Sequence, residues 1–301
     1  GSLNFGGGGA FHDVTNVIKK YGIVPEAAYP GLNYGTDKFN HAEMDAVLKA
    51  YLDAVIENKG KELTTAWMAG FIGILDSYLG PEPENFKYEG KEYTPKSFAD
   101  MLGFNFDDYI EFSSFTHHPF YEEFILEVPD NWSHDMSYNV PLNELMEIIE
   151  FSINNGYTVA WAADVSDKGF SWTNGVAIIP DETKEDLSGT EREKWEKLTS
   201  REKQAQLYAF EEPVKEAVIT QERRQHDFDV YLTTDDHGML LTGIAEDQTG
   251  STFYKVKNSW DIGGKYDGYL YASKAFIMLK TTDILVNKKG IPPKILKKLN
   301  L

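Results

Sequence analysis

Residues 233–260 read TTDDHGMLLTGIAEDQTGSTFYKVKNSW, two apolar runs on either side of Asp247-Gln248-Thr249-Gly250. That tetrapeptide is made of residues that bond their own backbone or accept turn conformations, so the stretch reads as an antiparallel hairpin. With the turn centred between Gln248 and Thr249, Trp260 falls opposite His237 and Asn258 opposite Met239. His237 and Asn258 are then diagonal neighbours at the hairpin mouth, and a bulge would shift the pairing by one residue.

The juxtaposition carries chemistry. An imidazole that moves protons needs a third group to fix its ring and tautomer, and an Asn amide oxygen can accept the ring N–H. An aromatic ring laid over that bond keeps water from it, which makes Trp260 a candidate shield. A histidine at a strand end is more often an ordinary satisfied side chain, and the neighbouring Asp235 and Asp236 can equally pair with charge or cap a turn.

Elsewhere the composition sets bounds. The 301 residues are 42% hydrophobic and 14% aromatic, enough for a sizeable core. With 29 Lys and Arg against 48 Asp and Glu the net charge is −19, which repels a phosphate backbone, so no nucleic-acid partner is expected. Lys288, Lys289, Lys294, Lys297 and Lys298 read as a solvated helix face. No apolar run approaches the roughly 18 residues of a membrane span, and the first residues lack the order of a signal peptide. There is no cysteine, which excludes disulfides, thiolate metal sites and a thiol nucleophile within these residues.

The first hundred residues read as helices. Phe11, Val14, Val17, Ile18 and Tyr21 recur at helical spacing up to Gly22, and this stripe is expected to be core. Met44 to Val55, Leu63 to Leu79 and a short segment from Thr94-Pro95 follow. After Glu111 short strands take over, with one amphipathic helix on Leu142, Leu145, Met146, Ile149 and Ile153, then alternation at Tyr157, Val159, Trp161 and Ala163. Residues 181 to 212 are rich in Glu and Lys and read as an exposed helical insertion. The expected organisation is a helical lobe over residues 1–110 and a β-rich lobe over 111–301, with the insertion at about 181–226 and a C-terminal arm.

The segments DDHGMLLTGIAEDQ and YKVKNSW resemble the histidine and asparagine segments of papain-like cysteine peptidases. A second match is distant: Gly8-Gly9, twelve residues, Gly22-Ile23, five residues, Tyr29-Pro30, as in that family's segment downstream of the nucleophile. The run RRQHDFDVYLTTDDHGM and the closing ASKAFIMLKTTDILVNKKGIPPKILKKL are similar to the bleomycin hydrolase and aminopeptidase C branch.

The resemblance implies an α+β, papain-like two-lobe fold with helical insertions. It implies a peptidase hydrolysing peptide bonds from the N-terminus through a Cys-His-Asn site, with no cofactor. His237 would be the base and acid, Asn258 its orienting partner, Trp260 the shield, and Gly8 and Gly9 a backbone edge for substrate. It further implies a hexamer, a cytoplasmic location, and a C-terminal arm entering the cleft, although the carry-over to Leu301 is open. The family's nucleophile segment lies upstream of the Gly-Gly pair, and seven residues precede Gly8 here. The chain is therefore expected to be part of a longer peptidase and inactive by itself; a peptide-binding relative that does not cut is the alternative. His117-His118 and His134-Asp135 lack HExxH spacing and read as surface or aromatic-packed histidines, so no metal site is expected. Asn131-Trp132-Ser133 fits a glycosylation pattern.

Overall fold

The structure, a computed structural model, describes residues 7–60, 62–185, 187–260 and 262–301. The chain forms two compact units that divide between Phe106 and Asp107.

In the first unit α1 (Phe11–Tyr21) begins where the Asp13 carboxylate accepts the Ala10 N–H at 2.9 Å. It stops at Gly22, whose φ of +92° is costly for any residue with a side chain. A Cβ there would also lie 2.2 Å from the Pro95 carbonyl carbon, while the Ile23 N–H donates to Pro95 O at 3.1 Å. The Gly22-Ile23 pair is thus the joint that docks α1 on α4 (Pro95–Leu102). Between them lie α2 (Ala42–Ile56), α3 (Ala66–Leu79) and a hairpin of β1 (Phe86–Tyr88) and β2 (Lys91–Tyr93). Phe86, Tyr88 and Tyr93 surround Phe98 with ring centroids 5.4, 5.0 and 5.6 Å away.

The apolar stripe of α1 is not core. Val14, Val17 and Tyr21 are 59%, 47% and 55% exposed, while His12 and Asp13 are buried. Helical periodicity identifies a face that would gain from being covered; it does not say that the unit covers it. No residue of α3 is buried either.

The second unit carries a ten-stranded sheet. In chain order its strands are β3 (Tyr109–Ser113), β4 (Glu123–Ile125), β5 (Met136–Asn139), β6 (Val159–Ala163), β7 (Phe170–Ser171), β8 (Val176–Ala177), β9 (His237–Glu246), β10 (Thr252–Lys257), β11 (Tyr269–Ser273) and β12 (Thr281–Asn287). They lie side by side as β4-β5-β3-β12-β6-β9-β10-β11-β8-β7. Helices α5 (Leu142–Asn154) and α9 (Lys274–Lys280) supply Leu145, Ile148, Ile149, Phe276 and Ile277 to a core shared with Trp161, Leu241, Tyr254 and Ile284. Each such side chain contributes roughly 1.5–3 kcal/mol on burial. The Trp161 indole donates to Thr281 Oγ1 at 2.7 Å and the Tyr254 hydroxyl to Glu150 Oε1 at 2.8 Å, so these rings enter the core with their polar atoms bonded.

The acidic segment forms α6 (Gly189–Lys197) and α7 (Ser200–Leu207), with no buried residue in the first and only Leu207 in the second. The following α8 (Gln221–Asp229) buries Arg224 and Gln225. The last helix, α10 (Pro293–Lys298), packs Ile295 into the core. Two of the five C-terminal lysines meet α5 acids: Lys294 lies 2.8 Å from Glu147, and Lys298 pairs with Glu144. Asn131 is 3% exposed and its amide donates to Leu126 O and Asp135 O, so the folded chain does not offer it for glycosylation. Among the described residues no helix is long and apolar enough to cross a membrane.

Candidate active site

The site is set by strand register. At the hairpin mouth β9 and β10 pair Leu240 with Lys257 and Leu241 with Val256, the pairing expected from the turn. A bulge between Lys255 and Val256 then shifts the turn side to Gly243 opposite Lys255. Thr242 is the extra residue, and its hydroxyl donates to Lys255 O at 3.1 Å. The turn closes on the Asp247 carboxylate, which accepts the N–H groups of Thr249 and Ser251 at 2.8 and 2.9 Å.

His237 opens β9 opposite Ala163 of β6. Its Nε2 lies 2.8 Å from Asn258 Oδ1. The same oxygen accepts the Ser259 backbone N–H at 2.7 Å. A backbone N–H only donates, so the face that Asn258 turns to the ring is its oxygen, and His237 Nε2 must carry the proton. The neutral ring then keeps its lone pair on Nδ1. Asn258 is 7% exposed, and its Nδ2 has no hydrogen-bond partner among the described residues. An orphaned buried N–H group costs on the order of 1–3 kcal/mol, so local stability is given up for ring orientation.

Trp260 lies over this pair, its ring centroid 4.9 Å from that of His237 at an interplanar angle of 33°. Phe170 and Trp172 brace it edge-on at 5.8 and 5.9 Å. Gly264, with φ +85°, passes so close under Trp172 that a Cβ would sit 3.0 Å from the indole.

The chain entering His237 is pinned on two sides. Asp236 accepts Thr234 Oγ1 at 2.8 Å and the Ser166 N–H at 3.1 Å, and Ser166 also bonds Asp164. The Lys280 ammonium then reaches Asp164 and Asp167 at 3.0 Å each and Leu232 O at 2.6 Å. Asp235 accepts Thr282 Oγ1 at 3.0 Å. Burial pushes its carboxyl up to about 6, a rise opposed by that hydrogen bond and helped by the charges of Asp130, Asp236 and Glu111. The sequence reading missed Lys280 and Asp164: they stand 116 positions apart and no local pattern joins them.

Gly8 and Gly9 lie in the first unit, exposed ahead of α1, with Gly8 at φ +131°. At the other end, the Leu301 N–H bonds Leu296 O and Lys298 bonds the Tyr121 hydroxyl at 3.1 Å, so the last residues are held by their own turn and by the α5 side of the sheet. His117 and His118 pack on aromatics, His117 stacked on Phe228 and His118 against Phe124 at 4.8 Å. They also converge on Glu127, bringing three metal-ligating atoms within 4.8 Å of one another, a grouping hidden by the ten-position step from His117 to Glu127.

A histidine oriented by an asparagine at the mouth of a β-hairpin, under a tryptophan, defines a class. The chain belongs to the Peptidase C1-like family, which matches it over residues 4–205 and 203–301. It is 22% identical to aminopeptidase C of Lactobacillus helveticus, covering 95% of this chain and 63% of that protein. It is 23% identical to bleomycin hydrolase of Rattus norvegicus (96% and 64%) and 25% identical to aminopeptidase C of Listeria monocytogenes (97% and 65%). The crystal structure of PepW from Lactobacillus rhamnosis HN001 superposes with a TM-score of 0.67 at 19% identity, over 97% of this chain and 65% of that one. The α+β, papain-like fold expected from the sequence is the fold found. The chain spans about 63–65% of the length of these relatives.

Proposed function

We propose that the chain is the histidine- and asparagine-bearing part of a cysteine-type peptidase of the aminopeptidase C and bleomycin hydrolase kind, acting on peptides. The observation that carries this reading is the 2.8 Å His237–Asn258 bond with its fixed tautomer. The names of the relatives add to it. Because the 301 residues hold no cysteine, the thiol comes from a segment outside them, and the chain alone does not turn over.

In this reading His237 Nδ1 takes the proton of that thiol, and the thiolate attacks the peptide carbonyl carbon. Collapse of the tetrahedral intermediate breaks the C–N bond while the imidazolium returns the proton to the leaving amine. Water, deprotonated by the same Nδ1, then cleaves the thioester and restores the thiol. Asn258 holds the ring through both transfers, and Trp260 keeps solvent from the bond that does so. Gly8 and Gly9 offer a backbone edge without side chains, along which a substrate strand exchanges hydrogen bonds.

The test mixes this chain with the N-terminal, cysteine-bearing part of the Lactobacillus helveticus aminopeptidase and follows release from an aminoacyl amide. The mixture is expected to be active, the chain alone silent, and His237→Ala slower by roughly 10²–10⁴-fold. Turnover by the chain alone, or an unchanged His237→Ala mixture, overturns the reading. Peptide binding by the mixture without cleavage would favour a non-catalytic relative.

A further inference from the structure

Outside the hairpin site, one cluster has the chemistry of a ligand site that the peptidase reading does not use. His117 and His118 lie in the turn that follows β3, where successive side chains can point the same way, as they could not in a strand. Their Nε2 atoms meet the two oxygens of one carboxylate: His117 at 3.0 Å from Glu127 Oε2, and His118 at 2.7 Å from Oε1. The rings are set by packing, with His117 stacked on Phe228 at 5.8 Å and 17° and His118 on Phe124 at 4.8 Å. Glu127, 54% exposed in its side chain, is free to adjust.

We propose that His117, His118 and Glu127 form a binding site for a divalent transition-metal cation of the zinc type, with water completing the coordination. Two imidazoles and a carboxylate suit such a cation, and its bonds of about 2.0–2.2 Å place tetrahedral ligand atoms roughly 3.4 Å apart. The two His–carboxylate contacts therefore open by about half an ångström while the widest ligand separation, up to 4.8 Å, closes, a rearrangement that falls to the exposed Glu127. The closed segment from 117 to 127 borders the small core of Phe115, Phe124 and Leu126, so the cation acts as a staple on it.

The surroundings also rank the ligands. Gln225 Oε1 accepts the Thr116 N–H at 2.5 Å, so its amide nitrogen faces His117 Nδ1 at 3.0 Å and donates to it. Without metal, His117 thus carries its proton on Nε2 and gives it to Glu127. Metal at Nε2 moves that proton to Nδ1, where it meets the Gln225 N–H group, and the amide cannot turn over without giving up its bonds to the Thr116 N–H and to Asp229 Oδ1 at 2.7 Å. His117 is therefore the weakest of the three ligands.

The experiment is calorimetric titration of the whole chain, free of any affinity tag, with zinc chloride. One saturable site is expected, weakened about tenfold or more in His118→Ala and in Glu127→Ala, weakened less in His117→Ala, and unchanged in His134→Ala. Glu127 is exposed enough that its replacement leaves the fold intact, which circular dichroism checks. Absence of saturable binding, or equal affinity in His118→Ala and Glu127→Ala, overturns the proposal. Unchanged affinity in His117→Ala removes His117, and the three-ligand site with it.

Discussion

The ammonium of Lys280 and the carboxylate of Asp164 meet at 3.0 Å with 3% and 2% of their side chains exposed. Through Ser166 and Asp236 this buried pair holds the strand start at His237. Two charges so far from water stabilise the fold only while both are present. Lys280→Met is expected to cost about 3–5 kcal/mol in urea unfolding, because Asp164 is left buried and uncompensated. The double variant Lys280→Met, Asp164→Leu is expected to recover part of that loss; a double variant as unstable as the sum of the singles would contradict the pairing.

Replacing Asn258 tests the ring assignment in this chain without any catalysis. In ¹⁵N spectra of the imidazoles, His237 is expected as the Nε2–H tautomer. Asn258→Ala should mix the two tautomers, while Trp260→Ala keeps the tautomer but speeds exchange of the Nε2 proton with water. An Asn258→Ala spectrum identical to the parent would show that the amide does not fix the ring.

Glu216 gives the protein a pH dependence of known sign. Burial pushes its carboxyl up to about 7, against the hydrogen bonds from Ser273 and from the Ile179 N–H. A folded-state value above the unfolded one means that the native state prefers the proton. Its stabilising contribution is complete below about pH 4.5 and is lost as the pH rises through 7. Glutamine keeps the acceptor oxygen and removes the charge. Glu216→Gln is therefore expected to be more stable than the parent at pH 8, by about 2–3 kcal/mol, and nearly equal at pH 5. Urea midpoints at the two pH values decide it.

Gly22→Ala is expected to loosen the first unit by more than 1 kcal/mol, since the new methyl meets both the positive φ and the Pro95 backbone. Limited proteolysis should then cut near α1 sooner while leaving the second unit's protection unchanged.

Much of the site was legible because it is local. Two strands and a four-residue turn fix which residues face each other, so His237 and Asn258 could be placed together before any fold was known, and the contact is there. Periodicity likewise found α5 and β6, most of whose apolar positions are buried, with Ile153 and the flanking Tyr157 half-buried. It failed for α1, because the burial of Val14, Val17 and Tyr21 depends on what lies across from them rather than on their spacing. Lys280 and Glu216 were invisible for the opposite reason: their chemistry comes from burial beside partners distant in sequence.

The bulge at Thr242 has a consequence for how this hairpin can vary. In a two-fold pleated ribbon, one inserted residue exchanges the two faces of everything beyond it. The extra residue therefore works as a phase corrector, with Gly243 opposite Lys255 on the turn side and Leu241 opposite Val256 on the mouth side. The turn end can keep the spacing its Asp247 loop demands while the mouth keeps a different one. Deleting Thr242 would touch neither His237 nor Asn258 in the sequence, yet turn one of them to the wrong face of the sheet.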